Sequence, residues 1–181
     1  VLDGMAEAGV AGVIKHMPGH GRATVDTHHK LPRIVASEEE LERDIAPFAK
    51  LADAPMGMTA HIVYEAWDAE RPATLSPVVI SEIIRGRIGF DGLLMTDDLD
   101  MKALEGDRAD LAAAAVAAGC DVALNCWGRF DEMKRTCERL DDIADVSRAR
   151  LDRAMARGGD PAADADLAAL VDKRDRLLAY A

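Results

Sequence analysis

The chain has 181 residues, 49% of them hydrophobic and 30% charged, with a formal net charge of −11. That length supports one domain with a real core. The acidic balance leaves no basic stripe to neutralise phosphates and argues against a nucleic-acid partner, and no apolar run is long enough to read as a membrane span.

Residues 1–8 read as the end of a helix, stopped at Gly9. A chain that starts at Val1 inside a helix end places any targeting segment upstream of the sequence in hand. The apolar run Val10-Ala11-Gly12-Val13-Ile14 reads as a buried strand over 10–15. Pro18, Gly19 and Gly21 then break regular structure, so a polar loop extends to about Ala36. Ser37 followed by three glutamates is a capping box that opens a helix to about Leu51. A second strand covers 57–63, and Pro77 starts a helix over 78–88 that Gly89 caps. A third strand covers 92–96 and ends in Asp97-Asp98. The Ala-rich helix 109–118 stops at Gly119, and a fourth strand covers 121–126. Helices follow at about 129–140, 146–156 and 163–179, with a break at Gly158-Gly159-Asp160-Pro161.

Strand and helix alternate four times, which means a parallel sheet of βα units. Each strand ends in polar residues: Lys15-His16, His61, Asp97-Asp98 and Asn125. In a parallel barrel these ends share one face; in a doubly wound sheet they line a crevice. No GxGxxG follows any strand, so the dinucleotide reading lacks its main support. Four strands cannot close a barrel of the eight-stranded kind. We therefore expect an α/β chain that is the C-terminal half of a TIM (β/α)8 barrel, residues 1–181 forming one partial domain of a longer gene product.

Several stretches carry chemistry. In Asp26-Thr27-His28 the acid and the imidazole can point the same way on an extended segment, so the carboxylate can fix the ring's tautomer and make a proton shuttle. The same three residues also fit a surface turn. In Thr96-Asp97-Asp98 one acid can face the barrel axis as a nucleophile or as a stabiliser of positive charge. Either acid also makes a good helix N-cap. His16 and His20 have the spacing of a helical zinc pair, but Pro18 and Gly19 between them remove the helix. Lys15 and His16 read better as donors to an uncharged ligand such as a sugar hydroxyl. Trp127 is a stacking platform or ordinary packing. Cys120, Cys126 and Cys137 form no CxxC pair, which fits reduced thiols in a cytoplasmic protein.

Taken together, KHMPGHG-x4-D-T-H, MTAHIVY and IGFDGLLMTDDLDM, in this order, resemble the family 3 glycoside hydrolases of the β-N-acetylglucosaminidase type, bacterial enzymes of peptidoglycan recycling. The resemblance runs from Val10 to about Leu140. It implies that Asp97 is the nucleophile, His28 the acid/base, Asp26 the group that orients His28, and Lys15 with His16 the pair that binds the sugar hydroxyls. Asp98 is then structural. No metal or other cofactor is implied. The implied substrate is an N-acetylglucosamine-containing saccharide of the muropeptide type, and the implied full-length protein is a cytoplasmic monomer. Met17 replaces a common Phe, and Asn125-Cys126-Trp127 departs from the family's pattern. The family's other sugar-gripping acids and arginines lie in its N-terminal half, outside this sequence. Three alternatives stand beside this reading. They are a phosphorylase of the same family, an inert half-barrel that binds sugar or its missing half, and a zinc hydrolase in which His16 and His20 converge with a further ligand.

Overall fold

The computed structural model describes residues 1–159 and 166–179. Its order is α1 (Leu2–Glu7), β1 (Val13–Met17), β2 (Arg33–Ile34), α2 (Glu38–Ala49), β3 (Met56–Thr59), β4 (Val63–Tyr64), a 3₁₀ turn (Ala73–Leu75), a π-helix (Val79–Arg87), β5 (Leu93–Met95), then α3 (Arg108–Ala118), α4 (Phe130–Arg139), α5 (Asp145–Met155) and α6 (Leu167–Leu178). The expected start of the last helix at 163 lies outside the described residues.

The main sheet is parallel with order β1-β3-β5. Each new strand adds on the same side as the last, without the reversal that a doubly wound sheet requires. This is the winding of a barrel, and the fold is α/β of the TIM-barrel type, present in part. The fourth segment joins as a single parallel bridge, Met95 with Val122, rather than as a regular strand. It is held by Asp121 N–H to the Leu94 carbonyl (2.8 Å), Thr96 N–H to Val122 (3.0 Å) and Leu99 N–H to Leu124 (3.0 Å). The second expected strand is also shorter than 57–63. It breaks after Thr59, and Val63–Tyr64 pairs instead with Arg33–Ile34 in a small separate parallel sheet.

Local chemistry accounts for most of the elements. Ser37 and Glu40 form a reciprocal capping box at the start of α2, each satisfying an otherwise orphan N–H. The helix buries Leu41 and Ile45, one turn apart, each stabilising by roughly 1.5–3 kcal/mol. Gly119 ends α3 in the left-handed conformation at φ 115°, which costs a residue without a Cβ nothing. The helix expected at 78–88 forms with π-type rather than α-type turns. Ile88 N–H reaches back five residues to the Ile83 carbonyl, and the wide turns bury Val79, Ile80, Ile83 and Ile84 against the sheet. Gly57 has no side chain because Met17 and Phe90, both fully buried, close over it from two sides.

The far end of the sheet is fastened by Asp121. Its carboxylate accepts from Leu94 N–H (2.9 Å), Arg85 Nη2 (2.7 Å), Ser147 Oγ (2.6 Å) and Arg150 Nη1 (3.1 Å). The Asp121 side chain is 2% exposed, so removal of the acid leaves the half-buried Arg85 guanidinium without its carboxylate and Arg150 with Asp91 alone. Asp121→Ala is expected to lower the free energy of unfolding by about 3–5 kcal/mol, read from urea denaturation at neutral pH. A loss under 1 kcal/mol would mean that the network is solvated.

Candidate active site

The ends of β1, β3 and β5 bring three loops together. The β1–β3 register slips by one residue between Ile14 and Met17, and a bulge of this kind re-aims the side chains it carries. Lys15 and His16 sit on it. His16 Nε2 lies 3.5 Å from Asp97 Oδ2, the side chains being 29% and 15% exposed. Burial lowers the His16 pKa, and Lys15, His20 and His61 push the same way against the attraction of Asp97. The His20 ring packs edge-on against His16 at 5.5 Å. Among the described residues no three His, Cys, Asp or Glu side chains gather into a set that could hold a metal ion.

Asp97 is fixed by its own turn. Asp98 N–H donates to Asp97 Oδ1 at 2.9 Å. The other two acids of this loop are used by the backbone. Asp98 Oδ1 accepts from Asp100 N–H and Cys126 N–H, both at 3.1 Å. Asp100, buried, accepts from Trp127 N–H at 3.1 Å and faces Arg108 at 3.6 Å. Cys126 and Trp127 thus tie the fourth segment to the Asp97 loop through their main chain. The Trp127 ring carries Arg129 at 4.8 Å over its face.

Asp26 and His28 form a pair on the loop after β1. One carboxylate oxygen, Asp26 Oδ1, meets both His28 N–H (2.8 Å) and His28 Nδ1 (2.7 Å). The His28 backbone and then its ring hold the Asp26 carboxyl below the usual carboxylate range, so Asp26 is an anion at neutral pH. The His28 ring is 71% exposed. The pair makes no hydrogen bond or ion pair with Asp97 among the described contacts. The loop is anchored around it. Tyr64 Oη donates to the Gly19 carbonyl (2.6 Å), Arg22 pairs with Asp44 and Glu40 of α2, and Ala103 N–H donates to the carbonyl of buried Thr27 (3.2 Å). The last of these stitches the Asp26–His28 loop to the Asp97 loop. Lys15 is exposed and joins neither pair.

Sequence reasoning gave no task to His61. Its ring is fully buried, with Nδ1 2.7 Å from Thr74 Oγ1 and Nε2 3.0 Å from the Asp98 carbonyl. A histidine inside the apolar run Met56–Tyr64 is the available signal, because a buried polar ring must find partners.

The comparisons with known proteins place the chain in a family. Residues 1–158 match the model of the Glycosyl hydrolase family 3 N terminal domain. The chain belongs to glycosyl hydrolase family 3. A beta-hexosaminidase of Chromobacterium violaceum is 45% identical over 131 residues, 68% of this chain and 36% of the relative. One from Thioalkalivibrio sulfidiphilus is 40% identical over 163 residues, 87% of this chain and 46% of the relative. The chain therefore spans less than half the length of these two relatives. Among solved structures, NagZ of Neisseria gonorrhoeae in complex with N-trifluoroacetyl-D-glucosamine superposes with a TM-score of 0.74 at 33% identity, covering 84% of this chain and 45% of that one. A family 3 beta-N-acetylglucosaminidase of Paenibacillus sp. gives 0.73 at 35% identity, covering 86% and 31%.

His61 predicts an acid-sensitive fold. Burial holds its pKa below the ordinary 6.5, against the opposing pull of the Asp98 carbonyl, Asp97 and Asp98. The unfolded chain then binds a proton that the folded chain refuses. This part of the stability is complete above the ordinary value and lost as pH falls through the lower folded one. Unfolding free energy is expected to drop below pH ~6.5 with a slope of up to about 1.4 kcal/mol per pH unit from this ring, and His61→Gln should flatten that limb in a pH series of urea titrations. An unchanged limb would assign the acid sensitivity elsewhere.

Proposed function

We propose that this chain carries the reacting half of a retaining β-N-acetylhexosaminidase that releases terminal N-acetylglucosamine from muropeptide-type saccharides. The observation that carries the reading is the Asp26–His28 contact at 2.7 Å, on a loop stitched to the loop of Asp97. With Asp26 on Nδ1, the His28 proton that moves is the one on Nε2. In the first step an Asp97 oxygen attacks the anomeric carbon, the bond to the leaving oxygen breaks, and His28 Nε2–H gives its proton to that oxygen. The products are a glycosyl-aspartate ester and a neutral His28. In the second step water attacks the same carbon, gives its proton to His28 Nε2, and the ester bond returns its electron pair to Asp97. Retaining glycosidases ordinarily use two carboxyl groups for this sequence; here the imidazole takes the acid/base part. Lys15 and His16 hold hydroxyls of the terminal sugar, with His16 against Asp97 at 3.5 Å.

The beta-hexosaminidase names of the relatives and the sugar analogue bound to the Neisseria protein support the substrate class. A place in cell-wall recycling, a cytoplasmic setting, a monomeric full-length state and a single partial domain over 1–181 extend the same reading.

The decisive experiment is hydrolysis of a chromogenic β-N-acetylglucosaminide by this chain, alone and mixed with an N-terminal half-barrel of the same family. Turnover is expected with the half-barrel present. Asp97→Asn should abolish it, and His28→Ala should lower kcat by about 10²–10⁴-fold, with partial rescue by azide as an added nucleophile. Turnover that survives Asp97→Asn would sink the assignment.

A further inference from the structure

His61 takes no part in these steps, yet its hydrogen bonds lead to the nucleophile. A carbonyl oxygen only accepts, so the 3.0 Å contact with the Asp98 carbonyl puts the ring proton on Nε2. In the neutral ring Nδ1 is then an acceptor, and Thr74 Oγ1 donates to it at 2.7 Å. Thr74 has one hydroxyl proton. Its longer 3.1 Å approach to the Ala60 carbonyl cannot use the same one. Thr59 Oγ1, 2.8 Å away, therefore donates to Thr74. The donors run in one direction, from Thr59 to Thr74 to His61 to the Asp98 carbonyl, and the three side chains are fully buried.

The end of this run is the residue that aims Asp97. Asp98 gives its N–H to Asp97 Oδ1 at 2.9 Å and has its carbonyl held by the His61 ring. Its side chain is held in turn by the N–H groups of Asp100 and Cys126. Rotation of the backbone at 98 would move the N–H that fixes the carboxylate. The Asp98 carbonyl is held against it by Met101 N–H (3.2 Å) from the main chain and by the His61 ring (3.0 Å), the one side chain on it among the described contacts. We propose that His61 is a positioning residue for the reaction: as a neutral Nε2–H donor to Asp98, backed by Thr74 and Thr59, it holds Asp97 in line with the anomeric carbon. This rests on the assignment of Asp97 as nucleophile. Neutrality of the ring is consistent with its burial, which outweighs the pull of Asp97 and Asp98 on its pKa.

The test has two parts. Imidazole ¹⁵N spectra of the 181-residue chain between pH 6.5 and 8 should give His61 as a neutral ring protonated at Nε2. Kinetics then use the form that turns over the chromogenic glycoside. His61→Met fills the space without a donor. His61→Gln places an amide N–H₂ where Nε2 was. His61→Met is expected to lower kcat about 100-fold with KM within about two-fold, and His61→Gln to recover to within about ten-fold of the parent. The pH profile of His61→Gln should keep its limbs, because the ring moves no proton. A ring protonated at Nδ1, or parental kcat in His61→Met, overturns the proposal. Equal losses in both variants that track a fall in Tm also overturn it, leaving His61 a merely structural residue. An inactive parent would overturn the glycosidase reading instead, and the ¹⁵N spectrum would still decide the hydrogen-bond run.

Discussion

One buried carboxylate organises the parallel sheet from the end away from the reaction face. Asp121 draws Leu94 of β5, Arg85 of the π-helix, and Ser147 and Arg150 of α5 onto two oxygen atoms. The fourth segment joins β5 through one bridge and a few main-chain hydrogen bonds rather than a regular ladder. The acid adds side-chain bonds from the π-helix and α5 to this pairing. Leu94 is three residues before Asp97, so the clamp sets the height at which the β5 loop leaves the sheet. In barrels of this kind the face at the strands' N-terminal ends serves stability and the opposite face serves chemistry, and both tasks fall here on neighbouring stretches of the same strand.

The sequence was most legible where structure is made by near neighbours. The Ser37–Glu40 box and the Gly119 stop each depend on residues within a few positions, and each forms as expected. Asp26 and His28 do meet, but within a turn closed by His29 N–H and Lys30 N–H on the Asp26 carbonyl, not on the extended segment that the alternate spacing suggests. The alternation of strands and helices also sufficed for the winding of the sheet. What failed to show depends on distant partners. Residues 121–126 have the composition of a strand, but the Asp121 side chain takes up the Leu94 N–H, and Thr96 uses its hydroxyl to accept from Leu124 N–H. The run Gly57–Val63 reads as one strand. It is two, because Thr59 and His61 turn inward to meet Thr74 and Val63 leaves to pair with Arg33. The π-helix shows the same limit: an apolar pattern at helical spacing does not distinguish four-residue from five-residue hydrogen bonds. His61 stayed silent because its ring bonds to a main-chain atom 37 positions away, which no local pattern encodes.

The candidate site divides two tasks between two environments. The Asp97 side chain is 15% exposed and the His28 ring 71% exposed. On the proposed chemistry this asymmetry has a physical reason. A nucleophile must keep one distance and one angle to the anomeric carbon, and misplacement by an ångström is costly. It is accordingly set between the Asp98 N–H and the His16 ring. The acid/base group instead serves two oxygens in turn, first the leaving oxygen and then a water, and must be reached by solvent between them. For that group the fixed element is the tautomer rather than the position. Asp26 supplies it at 2.7 Å with the ring still open to water. The stitch between Thr27 and Ala103 joins the two environments through main-chain atoms alone, so the side chains on either side stay free for the reaction. A second acid in place of His28 would put another anion close to the Asp97 loop, where Asp98 and Asp100 already sit. On the proposed chemistry an imidazole at position 28 transfers the same proton without adding negative charge.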